Sequence, residues 1–213
     1  MRTRPTCPLT AVAAAVLLLS GCGGEAADGP DVIAGAASEH ASAPPTSAPA
    51  AEIKRPTVTL PGDMKNTFEG RRTGNAVKDA VLADTERRIG TIDQAISSGD
   101  MKHSGLAFYS TDEALTAAYR YTKAFVDRAD TWTGTVRYFD REVTYLKGAT
   151  ATSTYCVDES KAFVKHRRTG RTERNAASAR SFVAYETDLV RNGDGIWQTT
   201  SVTAERGAAA CRP

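Results

Sequence analysis

A cysteine at the end of an apolar leader is the residue of this 213-residue chain whose surroundings most clearly indicate a chemical role. Cys22 directly follows Leu19-Ser20-Gly21, and residues 9–19 form an apolar run behind two arginines. This is the pattern of a bacterial lipoprotein signal, whose cysteine thiol receives diacylglycerol and palmitate. The run is too short to span a membrane, which takes about 20 apolar residues. We therefore expect a signal peptide over residues 1–21 and a lipid on Cys22, with an ordinary secretory signal as the alternative.

Two further cysteines are expected to form a disulfide. Cys7 leaves with the signal peptide and Cys22 takes the lipid, so Cys156 and Cys211 remain in the folded part. In an oxidising compartment such a pair is more often bridged than free. Neither cysteine has the CxxC or HxxxH spacing of a metal site, so no metal and no cofactor are expected.

Acid–base chemistry would need a carboxylate or an imidazole at a cavity. Asp140 and Asp158 are the candidate catalytic residues by position, although aspartates at strand ends are also common turn formers. His40 lies in a linker, while His103 and His166 lie in polar loops where a solvated histidine is usual. We find no Ser-His-Asp spacing, phosphate loop, HExxH or calcium loop. These absences argue against a hydrolase or a kinase; whether the domain is an enzyme stays open, and a domain without catalysis is favoured.

Aromatic residues could line a cavity for an apolar ligand. They are distributed over the second predicted helix and the predicted strands, where they could equally form the core. The candidate lining residues are Tyr119, Tyr138, Tyr155, Tyr185 and Trp197.

The densest basic stretch has two interpretations. It is typical of a solvated hairpin loop, and it could also contact anionic headgroups or wall polymers near the anchor. The candidate contact residues are Lys165, Arg167, Arg168, Arg171 and Arg174. No aromatic residue interleaves them, so nucleic acid is not an expected partner.

Composition separates a tether from a domain. Without residues 1–21 the chain carries 25 basic and 25 acidic residues, and the five acidic residues of segment 23–52 face no lysine or arginine there. That segment is rich in Ala, Gly, Ser and Pro, which predicts a disordered tether over residues 22–52 with a typical span of about 30 Å. Residues 53–213 then form a single, mildly basic domain of ordinary size.

Helices are predicted before strands in this domain. Apolar positions recur at helical spacing over residues 75–98, with Asn75 as the N-cap and Gly99 as the stop. A second helix is predicted to start at a capping box of Ser110 and Glu113.

Beyond Asp130 the apolar period falls to two, which predicts strands. Asp140 and Arg141 mark an expected kink, and residues 192–195 a hairpin turn. The predicted strands cover residues 133–147, 149–157, 161–167, 179–191 and 196–205. Helices followed by an antiparallel meander predict an α+β fold, with the helices packed on one face of a curved sheet.

Three runs carry a resemblance to a known family. GTVRYFD at residues 134–140, YCVDESK at 155–161 and GIWQTT at 195–200 resemble actinobacterial lipoproteins whose domain is similar to the nuclear transport factor 2-like fold. The resemblance covers residues 57–213 and implies a sheet wrapped around a conical cavity. Enzymes of that fold, the ketosteroid isomerase-like and polyketide cyclase-like proteins, use an Asp, or an Asp and His pair, facing the cavity, with a Tyr as oxyanion donor.

Three functions remain open from the sequence. The first is a lipid-anchored protein on the outer face of the cell membrane whose domain binds a small apolar ligand or an envelope protein without catalysis. The second is an enzyme of the isomerase or cyclase type that uses a cavity Asp and Tyr. The third is an interaction scaffold with a filled core.

Overall fold

The computed structural model describes residues 53–70, 72–102 and 104–213. The predicted signal peptide, the predicted lipidation residue Cys22, the predicted tether, His40 and His103 lie outside these ranges, so the boundaries at residues 21 and 52 stay predictions. None of the helices in the described ranges has the length and apolar character required to cross a bilayer.

Helix α1 (Ala76–Ser98) begins and ends where its sequence predicts. The side chain of Asn75 accepts hydrogen bonds from the backbone N–H groups of Val77 and Lys78, which are unpaired at a helix start. Gly99 ends the helix in the left-handed conformation at φ 78°, which costs glycine little. The predicted first helix is confirmed.

The second long helix starts later than predicted. A short α2 (Leu106–Tyr109) precedes α3 (Asp112–Asp127), whose N-cap is Thr111 without a side-chain capping bond. The predicted capping box at Ser110 is therefore wrong. The backbone N–H of Thr111 donates to Thr199 O at 2.9 Å, and this holds Ser110 extended and outside the helix.

The sheet has the order β1-β2-β3-β5-β6, with the short β4 paired to β3. Only β1 and β2 pair in parallel among the named strands, and the other pairs are antiparallel. The two strands predicted over residues 149–167 are one continuous strand. The bounds are β1 (Met64–Phe68), β2 (Asp130–Lys147), β3 (Thr150–His166), β4 (Thr172–Glu173), β5 (Phe182–Arg191) and β6 (Trp197–Arg206). The predicted α+β class, helices on a curved sheet, is confirmed, with one parallel strand added at the edge.

Strand β2 bends at the predicted kink. Asp140 has φ 47°, and the register with β3 shifts between Phe139 and Glu142, which is a bulge. The bulge turns Arg141 inward, where its guanidinium reaches Glu86 Oε1 at 2.7 Å and the carbonyl oxygen of Leu82 at 2.9 Å.

The sheet presents two different faces because side chains alternate along each strand. On the inner face Tyr155 and Val157 of β3 pack against Ile89 of α1. On the outer face Cys156 forms a disulfide with Cys211, and their Cα atoms are 5.4 Å apart. The inner face therefore carries both the main core and the candidate site.

Candidate functional site

A cavity lies between helices α1 and α3 and the inner face of the sheet. It has two lobes. The helix lobe, about 210 Å³, is bounded by residues of α1 and α3, and the strand lobe, about 380 Å³, by residues of β2, β3 and segment 175–181. Both lobes are lined by Asp93, Tyr121, Tyr138 and Glu159, so they are parts of one hollow.

Three buried or half-buried tyrosines line this cavity. Tyr138, Tyr155 and Tyr185 line the helix lobe, and the rings of Tyr155 and Tyr185 stack with centroids 5.2 Å apart. Burial raises the pKa of each phenol above its ordinary value, so the hydroxyls stay protonated and can donate a hydrogen bond. None of the three hydroxyls bonds to a described residue. None of them is completely sealed from solvent either.

Asp93 is one of two carboxylate residues that line both lobes. It lies on α1. Its Oδ1 accepts from Trp132 Nε1 at 3.0 Å and its Oδ2 accepts from Asn66 Nδ2 at 2.6 Å. Burial raises the pKa of Asp93 to about 6, against the two hydrogen bonds that favour the ionised form. A carboxyl group with this pKa exchanges protons near neutral pH, as a general acid or base must.

Two charged groups complete the helix lobe. Glu159 is held by Arg206, whose Nη1 and Nη2 lie 2.6 and 3.2 Å from its two carboxylate oxygens. Arg88 of α1 is buried, and its Nε donates to Ser110 Oγ at 2.9 Å. The helix lobe therefore combines charged and phenolic groups with apolar side chains, and a site of this kind can bind a small molecule.

Neither predicted catalytic aspartate faces the cavity. Asp140 is exposed at the bulge of β2, beside Cys156 and Cys211 on the outer face. Asp158 alternates with the inward Val157, and it accepts from the backbone N–H of Ser160 at 2.9 Å. The structure therefore gives no support to an acid–base role for either residue, because the bulge and the strand alternation turn both away.

The predicted aromatic residues divide into two groups. Tyr138, Tyr155 and Tyr185 line the cavity. Tyr119 is 39% exposed on α3, and Trp197 is 1% exposed in a separate core cluster with Leu82 and Leu189. Tyr121, which was not predicted, lines both lobes from α3.

Much of the predicted basic surface is engaged within the domain. Lys165 Nζ lies 2.7 Å from Asp63 Oδ2, and Arg171 Nη2 lies 2.9 Å from Glu173 Oε1. Arg167 donates to the backbone carbonyl oxygens of Ser97 and Asp130. Arg174 packs over the ring of Phe163, and Arg168 has no partner among the described residues.

In residues 53–70, 72–102 and 104–213, no cluster of three His, Cys, Asp or Glu side chains is placed to hold a metal ion.

Asp93 was missed from the sequence although a signal existed. It stands four residues after Ile89 and three before Ile96, on the apolar face of α1. An acidic residue at such a position is either paired in the core or directed into a cavity, and Asp93 is both hydrogen-bonded and cavity-lining.

The fold and the cavity define an α+β domain in which helices close a curved sheet over a tyrosine-lined hollow. The sequence matches no protein-family model and no curated protein.

Several solved structures are similar to this chain, and their names differ from one another. One is a ketosteroid isomerase-like protein from Erwinia carotovora atroseptica, at 13% identity and TM-score 0.41, covering 62% of this chain and 97% of that one. A second is ActVI-ORFA from Streptomyces coelicolor, at 14% and 0.40, covering 59% and 94%. A third is the intermembrane space region of the chloroplast protein ARC6, at 10% and 0.37, covering 58% and 95%. At these identities and TM-scores the likenesses carry nothing about activity or ligand.

Proposed function

We propose that this protein is anchored to the outer face of the cell membrane through a lipid on Cys22 and that its domain binds a small, largely apolar ligand in the cavity. The observation that carries the binding function is the set of tyrosine hydroxyls. Tyr138, Tyr155 and Tyr185 all line one cavity, and none of their hydroxyls bonds to a described residue. Because these hydroxyls are not sealed from solvent, a bound ligand can replace water as their hydrogen-bond partner.

The walls of the helix lobe indicate the character of this ligand. Ile89, Ile92 and Val157 contribute apolar surface between the aromatic rings. A cavity of about 150 Å³ lined by apolar side chains accommodates benzene, and the helix lobe is larger at about 210 Å³. A molecule with one ring and a polar substituent fits this space. Because the helix lobe has this volume, the ligand-binding function is favoured over the alternative of an interaction scaffold with a filled core.

Tyr155→Phe and Tyr185→Phe test the binding function. Because neither hydroxyl bonds to a described residue, we expect both variants to melt within about 2 °C of the wild type. A collection of small aromatic and alicyclic compounds is then screened by thermal shift, since a ligand that binds the folded state raises its melting temperature. We expect some compounds to stabilise the wild type and to stabilise the variants less. Tyr109→Phe is the control, because the Tyr109 hydroxyl already has a partner within the protein: it accepts a hydrogen bond from Arg55 Nη1 at 3.4 Å. A screen in which no compound stabilises the wild type contradicts the proposal.

The anchor rests on the sequence Leu19-Ser20-Gly21-Cys22. Cys22→Ala should move the protein from the membrane fraction to the soluble fraction of the producing cell and abolish labelling by a palmitate analogue. Cys7→Ala in the leader is the matched control and should change neither readout. Retention of the Cys22→Ala variant in the membrane would place the anchor elsewhere.

A second candidate function is an isomerase or cyclase type of enzyme, and Asp93 is the observation that favours it. Its pKa of about 6 suits proton transfer, and Tyr138, which lines both lobes with it, could donate a hydrogen bond to a developing oxyanion. In this mechanism Asp93 removes a proton next to a substrate carbonyl while the Tyr138 hydroxyl stabilises the enolate oxygen. Turnover of a ligand found in the screen, lost in Asp93→Asn and retained in Asp140→Asn, would establish it.

A further inference from the structure

Arg88 is a buried cation with an incomplete set of partners. Arg88 is 5% exposed. Of its side-chain nitrogens, only Nε is hydrogen-bonded to a described residue, Ser110. The terminal Nη1 and Nη2 atoms bond to no described residue. Neither atom is completely sealed from solvent. We therefore infer that both reach the cavity that Arg88 lines.

The other buried arginine of the core is treated differently. Arg141 binds the carboxylate of Glu86 and the carbonyl oxygens of Leu82 and Glu69. A buried charge is expensive unless it is paired and hydrogen-bonded, and Arg141 satisfies this rule. Arg88 does not satisfy it among the described residues.

The carboxylates around the cavity are already engaged. Asp93 accepts from Asn66 and Trp132, and Glu159 is bound in a two-point contact by Arg206. Asp84, one turn before Arg88 on α1, accepts from arginines 55 and 87 and from the backbone N–H of residue 197. None of these three described carboxylates therefore pairs with the Arg88 fork.

We propose that the helix lobe binds a small aromatic or alicyclic carboxylic acid, with its carboxylate on Nη1 and Nη2 of Arg88 and its ring against Tyr155 and Tyr185. This inference rests on the proposed binding function and adds the chemical class of the ligand. A planar guanidinium with two free nitrogens matches a carboxylate in a two-point contact. Ser110 holds the guanidinium on its Nε side, which leaves the fork directed into the lobe.

A phosphate is a poorer occupant of this lobe. It would bring nearly two negative charges to one unpaired arginine, in a lobe that also contains the carboxyl groups of Asp93 and Glu159. A monoanion balances the single charge of Arg88. The space of about 210 Å³ leaves room for one ring beside the carboxylate.

The test compares two probes that differ in charge and little in shape, 3-phenylpropionate and 3-phenylpropan-1-ol. Binding of each to the purified full-length protein is measured by calorimetry at pH 7.5. Arg88→Met keeps the length and removes the charge, Arg88→Lys keeps the charge and removes the fork, and Arg120→Met on the exposed face of α3 is the matched control. We expect the wild type to prefer the acid, and Arg88→Met to lose about tenfold to a hundredfold in affinity for the acid with little change for the alcohol.

The melting temperature of the unliganded variants is a second readout. Because Arg88 is unpaired in the absence of ligand, Arg88→Met should melt at or above the temperature of the wild type. A purely structural arginine would show the opposite, a lower melting temperature and unchanged preference between the probes. If Arg88→Met fails to fold, Arg88→Lys and the preference of the wild type decide the question.

The outcomes separate the two proposals. Equal affinity of the wild type for both probes, unchanged in Arg88→Met or Arg88→Lys, overturns the carboxylate site and leaves the binding function standing. Binding of neither probe and of no compound in the thermal-shift screen overturns both.

Discussion

Trp132 and Asp93 are joined by a hydrogen bond of 3.0 Å between the indole Nε1 and the carboxylate Oδ1. Trp132 lies on β2 and Asp93 on α1, 39 positions earlier in the chain. Asn66 of β1 holds the second oxygen from the other side. The carboxylate at the centre of the cavity is therefore fixed by two strands, and its orientation does not depend on a loop.

This arrangement predicts the pH dependence of stability through Asp93. Its pKa is about 6 in the folded protein and about 3.9 unfolded, so the folded state binds more protons between these values. Stability from this group is complete below about pH 4 and is lost as pH rises through about 6, by about 3 kcal/mol. Asp93→Asn lacks this loss. Relative to wild type, its free energy of unfolding should rise by about 3 kcal/mol between pH 3 and pH 7.5, as measured by urea denaturation.

Two features make this variant informative. The buried Oδ1 of Asn66 has no partner, so a flipped Asn66 amide can accept from the amide introduced at position 93 and preserve the bond. Asp79→Asn is the control of opposite sign, because hydrogen bonds from Thr73 lower the pKa of Asp79 and its stabilisation is lost as pH falls. A stability difference for Asp93→Asn that is the same at both pH values would contradict the role assigned to burial.

His166 should titrate above its ordinary pKa. Its Nε2 lies 2.8 Å from Glu173 Oε1 and its Nδ1 lies 2.7 Å from Asp130 Oδ1, and these bonds raise the pKa. Arg171 Nη2 lies 2.9 Å from the same Glu173 oxygen and 3.1 Å from His166 Nε2. The stabilisation is complete below about pH 6.5 and is lost as pH rises through the folded pKa.

An NMR titration measures this pKa directly. We expect the His166 ring signal, assigned by its disappearance in His166→Gln, to titrate with a midpoint above 6.5. Glu173→Gln should move the midpoint down, because it removes the carboxylate whose hydrogen bond raises the pKa most. A wild-type midpoint no higher than the ordinary histidine value would show that neither carboxylate holds the imidazolium.

The helix and strand pattern could be predicted because it depends on local chemistry. Asn75 and Gly99 mark α1 through capping and positive φ, and the kink at Asp140 is visible as an interruption in the alternation of β2. Ser110 shows the limit of such patterns. It fits a capping box in sequence, yet it lies outside α3 and binds Arg88, 22 residues earlier.

The candidate site was less predictable because it depends on contacts distant in sequence. Asp93 becomes a cavity carboxylate only through Asn66 and Trp132, and no local pattern joins these three residues. Asp140 and Asp158 have the right residue type but the wrong face. The direction of a strand residue depends on bulges and register, and the bulge of β2 changes it at this point.

Gly134 should be intolerant of any side chain. Its φ is 106°, and an added Cβ would lie 2.0 Å from the carbonyl oxygen of Lys161 on the paired strand. Gly134→Ala must therefore break the pairing of β2 with β3 locally, and we expect it to cost about 3–5 kcal/mol in urea denaturation. Gly148→Ala is the matched control, since its φ is 59° and nothing lies within 4 Å. It should cost only about 1–2 kcal/mol, from the left-handed backbone alone. Equal costs at the two positions would contradict the close approach.

The disulfide between Cys156 and Cys211 should stabilise the domain. It closes a loop of 55 residues and ties the C-terminal segment to β3. On the chain-entropy model it contributes about 4 kcal/mol, so the variant with both cysteines replaced by Ala should lose about that much free energy of unfolding. Mass spectrometry of exported protein without reductant should show the two peptides joined. Two free thiols in that material would refute the bridge.

Ser110 should act as a positioning residue for Arg88. Ser110→Ala removes the only hydrogen bond that Arg88 makes to a described residue, so we expect a loss of about 1–3 kcal/mol in stability. Because Thr111 is the N-cap and makes no side-chain bond, the start of α3 should persist, with unchanged helical circular dichroism. In Ser110→Ala the affinity for 3-phenylpropionate should fall while the affinity for 3-phenylpropan-1-ol stays unchanged. Ser110→Thr should restore the affinity for 3-phenylpropionate. If Ser110→Ala instead lowers the helical circular dichroism and leaves the preference between the two probes unchanged, Ser110 acts as an N-terminal cap of α3.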